Sequence, residues 1–535
     1  MTRISRTAIL LLASAALPLL AGCGANEIAS PGGNTLPTTP TPGTVTPTPT
    51  PGTGLVVAAA ACPTVTGLTL TNEGTISGPT GEWRICRLPA MISASATLPK
   101  ATGVLYKITD RVNVGCDGGR TVPTTGAPFT STTVGCATPS LTADTNVTLT
   151  IAPGVIIYAN PGPSWLAVNR GNKISAVGTA AQPIIFTSEA NVKGTNTDTS
   201  IGQWGGVVLM GRARVTDCNF GSVGAGTCER QTEGATDPAV FGGTIDTDSS
   251  GSMKYVQLRY SGYVLSSNIE LQALTTEGIG SGTTLDFVQS HNSSDDGAEF
   301  FGGVVNFKHY IATGADDDSL DVDTGAQAAF QYVMLLQRDG QGDALMEIDS
   351  NNNEADTPRT RLRVANFTAV QKLASSNNEA NDQASTLFRG NSDTTLINGV
   401  FVVPNNECIR MNGTGTTPAT LTARSVVMQC NATKYLGTGS LTATQVATAF
   451  GAGANNNSDS FTPSLVSVFI NGTAETAVAA TDPKLTDSFF DTTSYIGAVK
   501  DASDNWFKTW TCNSGYVGFD DTLNANRSCL SLPTT

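Results

Sequence analysis

A constant shift of 22 residues superimposes Phe287-Val288-Gln289 on His309-Tyr310-Ile311 and then on Gln331-Tyr332-Val333. The same shift carries the acidic stretch "SSDDGAEFFGG" (293–303) onto later ones. Asp295 falls on Asp317 and then Asp339, Asp296 on Asp318, and Glu299 on Asp321 and then Asp343; stepping back once, Glu277 joins the last column. A repeat of this length built from short β-rich runs is the signature of a stacked coil, in which neighbouring repeats bury a shared core. Apolar runs such as "QPIIFTS", "MKYVQLRYSG" and "AFQYVMLLQ", bounded by turn residues, recur through the body, and no long stretch carries helical spacing. The expected fold is all-β, a right-handed parallel β-helix of about 22 residues per coil over residues 141–480. Disulfide-stapled caps are expected over 55–140 and 481–535, because open coils expose unpaired strand edges.

In-register coils stand about 4.8 Å apart. Stacked carboxylates at that distance raise one another's pKa and destabilise the stack unless something offsets them. No lysine or arginine lies within "DDDSLDVD" (316–323), in a chain of only 14% charged residues. A calcium site between successive turns is therefore expected at Asp295, Asp296, Glu299, Asp317, Asp318 and Asp321, since hard cations accept several carboxylates at short range. The competing expectation is a row of turn aspartates facing water. The formal charge of −14 excludes nucleic acid as a natural partner.

The first residues indicate the compartment. Arg3 and Arg6, an apolar run from Ala8 to Leu20 and then Ala21-Gly22-Cys23 form a secretory signal over 1–22, too short in its apolar core to span a bilayer. It resembles a bacterial lipoprotein signal, which implies lipidation of Cys23; Gly24 after it implies the outer membrane. Residues 23–54 are an anchor and a Pro/Thr-rich tether with an extended polyproline bias, reaching roughly 75 Å at about 3.1 Å per residue. Apart from Cys23 there are ten cysteines: Cys62, Cys86, Cys116, Cys136, Cys218, Cys228, Cys408, Cys430, Cys512 and Cys529. An even number in an exported chain reads as a disulfide framework whose connectivity stays open. Cys408 and Cys430 are also 22 apart, which suggests a staple between equivalent positions of adjacent coils.

Residues 149–188, "GQWGGVVLMGRA" (202–213), 241–262, 278–325 and 487–510 together resemble the exported pectin-lyase-like β-helix proteins of Gram-negative bacteria. Many of these are surface lipoproteins, largely of unassigned function. The resemblance implies surface display, and in some cases association with a TonB-dependent receptor; it implies no catalytic residues.

The expected function is a surface-exposed lipoprotein presenting a binding face to an extracellular polymer, nutrient or receptor. The alternative is a calcium-dependent polysaccharide lyase or a glycoside hydrolase. Coil spacing brings Asp296 and Asp318, or Asp295 and Asp339, within the range that glycosidases use. A lyase also needs a base, for which Arg338 and Arg389 are the candidates. The later motifs of polygalacturonases are absent. Phe300 and Phe301 are expected as an internal aromatic ladder rather than a sugar platform, and His291 and His309, 18 apart, as separate hydrogen-bonded residues.

Overall fold

The computed structural model describes residues 54–534 apart from 234, 236–237, 267–268, 351–354, 375–383, 414–415 and 520–527. The expected signal, Cys23 and all but the last residue of the tether lie outside the described residues. The body is a parallel β-helix built from one 15-stranded and one 11-stranded sheet.

The larger sheet is folded along its length. In each long strand of the later coils, one residue takes a left-handed conformation: Tyr255, Phe287, His309, Tyr332, Asn366, Asn398 and Ser425, with φ between 52° and 62°. Pairing steps over these residues, so that Lys254 pairs with Asp286 and Val256 with Val288. Ahead of the bend Gly251–Lys254 pair with Ile174–Val177, and beyond it Val256–Leu258 pair with Ile184–Phe186. The coil thus has three faces, two from the bent sheet and one from the smaller sheet. Left-handed backbone disfavours residues with a Cβ, and each corner carries its own compensation. Tyr255, Phe287, His309 and Tyr332 stack at 4.4, 4.0 and 4.7 Å between successive ring centroids. At the next corners the asparagines adopt this conformation readily, and Asn366 and Asn398 each donate a side-chain hydrogen bond at 2.8 Å to the C-terminal segment.

Inward-facing residues of all three faces form one continuous core, in which Phe300, Phe307 and Phe330 sit with ring centroids 5.0 to 6.2 Å apart. Burying each such ring contributes about 2 kcal/mol or more.

The coil length is not constant. Leu285 pairs with Phe307, 22 residues on, and Phe307 with Phe330, 23 on; the following step, Phe330 to Val364, takes 34. Strand pairing fixes the faces, while turns on the exterior lengthen at little energetic cost.

Both expected caps differ from the structure. Coils already stack inside 55–140, where Gly81–Arg87 pairs parallel with Val104–Ile108, and Thr71–Gly78 closes the end as an antiparallel hairpin strand. The other end is closed by the helix Ala443–Phe450, whose Thr442 forms a capping box with Gln445 and whose Val446 and Phe450 enter the core. The described residues of 481–534 do not close that end. They run back along the bent sheet toward the start of the coil, bonded to a row of side-chain amides. Gln331 donates to Asp491 O at 3.0 Å, Gln289 to Cys512 O at 3.1 Å and Asn191 to Cys529 O at 2.9 Å. Leu532 ends in a cluster with Val56, Ile76 and Trp83.

The ten cysteines pair in sequence order: Cys62 with Cys86, Cys116 with Cys136, Cys218 with Cys228, Cys408 with Cys430 and Cys512 with Cys529. The 22-residue spacing of Cys408 and Cys430 is not a coil register, however. Cys430 pairs across the sheet with Val403, and the Cys408 N–H donates to Lys434 O. The bridge joins two faces.

Candidate metal centre

The acidic residues stand on and beside the smaller sheet. Its short strands alternate strictly, so that Phe300 and Val322 enter the core while Glu299, Asp321 and Asp323 point outward. Turns preceding the strands supply the remaining acids. Asp296 accepts from the Asp318 backbone N–H at 2.9 Å, and Asp318 accepts from that of Ala344 at 2.7 Å, each one coil on. Carboxylates therefore tie successive turns together.

Two expected columns are re-registered. Glu299 pairs with Asp321, as the 22-residue shift requires, but Asp321 then pairs with Glu347 rather than Asp343. Asp343 instead follows Asp317, to whose carbonyl its N–H donates at 3.1 Å. Four extra residues in the turn before it, which leave Asp339 exposed and outside the column, account for the slip. Glu277 is displaced as well, since it stands opposite Phe301, and Thr275 stands opposite Glu299.

All six expected ligands are nevertheless gathered into oxygen-only triads. Carboxylate oxygens of Glu270, Asp295 and Asp317 lie within 4.8 Å of one another, as do those of Asp296, Glu299 and Asp321, and those of Asp317, Asp318 and Asp343. Sequence reasoning missed Glu270, which belongs to an inserted segment with no repeat partner, and misplaced Asp343.

The solvated-face alternative does not describe this arrangement. Asp295, Asp296, Glu299 and Asp318 are between 4% and 7% exposed, while Asp317, Asp321 and Asp343 form a half-buried outer rim. Burial, and then repulsion from neighbouring carboxylates, pushes Asp295, Asp296, Glu299, Asp318 and Asp321 well above the ordinary carboxyl range. The same causes push Glu270 up to about 7, and burial pushes Glu277 up to about 8. Among the described residues, Asp321 Oδ1 and the buried Glu270 Oε1 have no hydrogen-bond partner.

These features fit a hard divalent cation. Calcium takes six to eight oxygen ligands and offsets several carboxylates at once, whereas buried like charges without it must stay protonated. The donor set holds no thiolate or imidazole. His291 does lie beside Cys512 and Cys529, but those sulfurs form a disulfide. Its Nδ1 is 2.9 Å from Thr313 Oγ1, and His309 Nδ1 is 2.7 Å from Asp286 Oδ1.

The two candidate lyase bases are engaged by acids. Arg338 Nη2 lies 3.1 Å from Asp316, and Arg389 pairs with Glu347 at 3.0 Å and Asp349 at 3.2 Å. Phe301, adjacent to the acids, is covered by the loop carrying the Cys218–Cys228 bridge, where it packs near Phe241, so neither phenylalanine offers a ring face to solvent.

No curated protein matches the chain. Among solved structures, the crystal structure of alginate lyase from Paenibacillus sp. str. FPU-7 shares 10% identity, covering 55% of this chain and 85% of that chain, with a TM-score of 0.28. The family model for the pectate-lyase-like β-helix domain matches residues 133–511, more than half of the chain and most of its stacked coils, and the chain belongs to that family.

Proposed function

We propose that this protein is a lipid-anchored, cell-surface polysaccharide-binding β-helix that holds anionic sugars through calcium. The signal over 1–22 and Cys23 anchor it to the outer membrane, and the Pro/Thr-rich tether sets the coil clear of the surface. The observation that carries the reading is the set of three carboxylate triads, whose buried members hold the cation while Asp317, Asp321 and Asp343 form the rim that meets solvent. Bound calcium would supply positive charge at that rim, which attracts uronate carboxylates to an otherwise acidic face.

Binding is favoured over cleavage. A lyase base must be free to reach the substrate, and Arg338 and Arg389 are each taken up in ion pairs with acids. A retaining hydrolase needs a free ionised nucleophile beside a protonated acid, whereas here Asp296, Glu299 and Asp318 would be taken up as ligands of the cation.

Titration calorimetry with calcium, comparing the wild type with the Asp296→Asn, Asp318→Asn double variant, tests the site. Stoichiometric heat lost in the variant is expected. Retention of the wild type on immobilised polygalacturonate, released by chelator and without formation of unsaturated products, tests the ligand. Absence of calcium heat refutes the proposal.

A further inference from the structure

The beginning and the end of the described chain meet around a cavity that the carboxylate face does not use. Val56, the first coils and the tip of the returning C-terminal segment enclose about 340 Å³, at the lower end of the range for small-molecule sites. Its walls include Val56, Trp83, Val104, Ile156, Lys100 and Pro533. The cavity exists because Leu532 packs against Val56 and Trp83, which brings Pro533 and Thr534 across the open side.

Two polar groups distinguish it from a packing defect. Trp83 is 5% exposed, yet its indole N–H has no acceptor among the described residues. Buried donors are rarely left unpaired, because they lose water without replacement. Lys100 stands at the rim, with its ammonium 3.2 Å from where a Cβ on Gly154 would lie. Gly154 has φ +76° and lines the same cavity, so the wall is open there for the lysine stem. Among the described residues no carboxylate pairs with Lys100. A largely apolar lining, one buried unpaired donor on a residue of the wall and one cation at the mouth describe a receptor for a small molecule with an apolar body and an anionic head.

We infer that this cavity binds a small amphipathic anion, an aromatic or medium-chain carboxylate or sulfonate, whose head accepts from Trp83 and pairs with Lys100. The site shares no residue with the carboxylate triads and does not depend on calcium.

The probe is 1-anilinonaphthalene-8-sulfonate, titrated by fluorescence into the chain carrying Cys23→Ser to prevent acylation. One saturable site is expected, unchanged by chelator, and competed by octanoate but not by octanol. Trp83→Phe, which keeps a ring in the wall, and Lys100→Glu, at an exposed position that leaves the core intact, should each weaken binding about tenfold, the scale of one charge-assisted hydrogen bond. Melting curves matching the wild type would confirm that both variants fold. Binding at several equivalent sites, or the same affinity in both variants, overturns the inference.

Discussion

The Asp296 carboxylate accepts the backbone N–H of Asp318 one coil further on, at 2.9 Å, and Asp318 repeats the contact onto Ala344 at 2.7 Å. Each acid thus serves as a structural acceptor while it belongs to a cluster that repels it. Asparagine keeps the acceptor and removes the charge. The Asp296→Asn, Asp318→Asn variant should therefore melt above the wild type in excess chelator and below it in excess calcium. A saturating cation at a hundred times its Kd stabilises the wild type by about 2.7 kcal/mol. The same order of melting temperatures under both conditions would refute a shared cation site.

In chelator, stability should fall as pH rises. Glu270 and Glu277 are raised to about 7 and about 8. Above the ordinary carboxyl range and below those values, the folded state holds protons that the unfolded chain has lost. Each such group then costs about 1.4 kcal/mol per pH unit as pH climbs through the window. Urea unfolding at pH 5, 6, 7 and 8 reads the slope, and a rising trend contradicts it.

Glu277→Gln isolates one part of that slope. Thr232 Oγ1 donates to Glu277 Oε2 at 2.9 Å, a bond that the glutamine carbonyl reproduces. The variant should match the wild type only below the unfolded carboxyl's ordinary pKa, at about pH 4, and then gain on it by about 1.4 kcal/mol per pH unit until the native carboxyl ionises at about 8, above which the difference levels off. A constant difference across pH would place the effect in packing.

Gln289 secures the C-terminal segment from both sides, donating to Cys512 O at 3.1 Å and accepting its N–H at 2.7 Å. Gln289→Ala leaves two buried backbone groups unpaired and should cost about 2 kcal/mol or more. Faster limited proteolysis of the segment, with unchanged far-ultraviolet dichroism of the coil, is the expected signature.

Arg389→Ala leaves Glu347 and Asp349 without their shared partner. Loss of about 3 kcal/mol is expected, and Arg389→Lys should restore only part of it, because the fork that spans two carboxylates is gone. Denaturant midpoints measure both.

Much of this was legible in the sequence. The stacked rings of Phe287 and His309 are the repeat seen from outside, and Glu299 on Asp321 follows the same shift. The shift failed where a turn gained residues, sending Asp321 to Glu347 and Asp343 to Asp317. An insertion in an exterior turn leaves no periodic trace, because only the inward residues are constrained to alternate.

By itself, the sequence determined the parallel β-helix and the meeting of carboxylates on one face, since a repeat of short apolar strands has one economical way to bury its core. The tertiary structure alone decided that those carboxylates are buried and joined by Glu270, that the described residues of 481–534 return along the bent sheet, and that Cys408 reaches Cys430 across faces. These outcomes depend on which distant segment covers a given surface. Burial and its electrostatic consequences arise from that covering, which no local pattern of residues encodes.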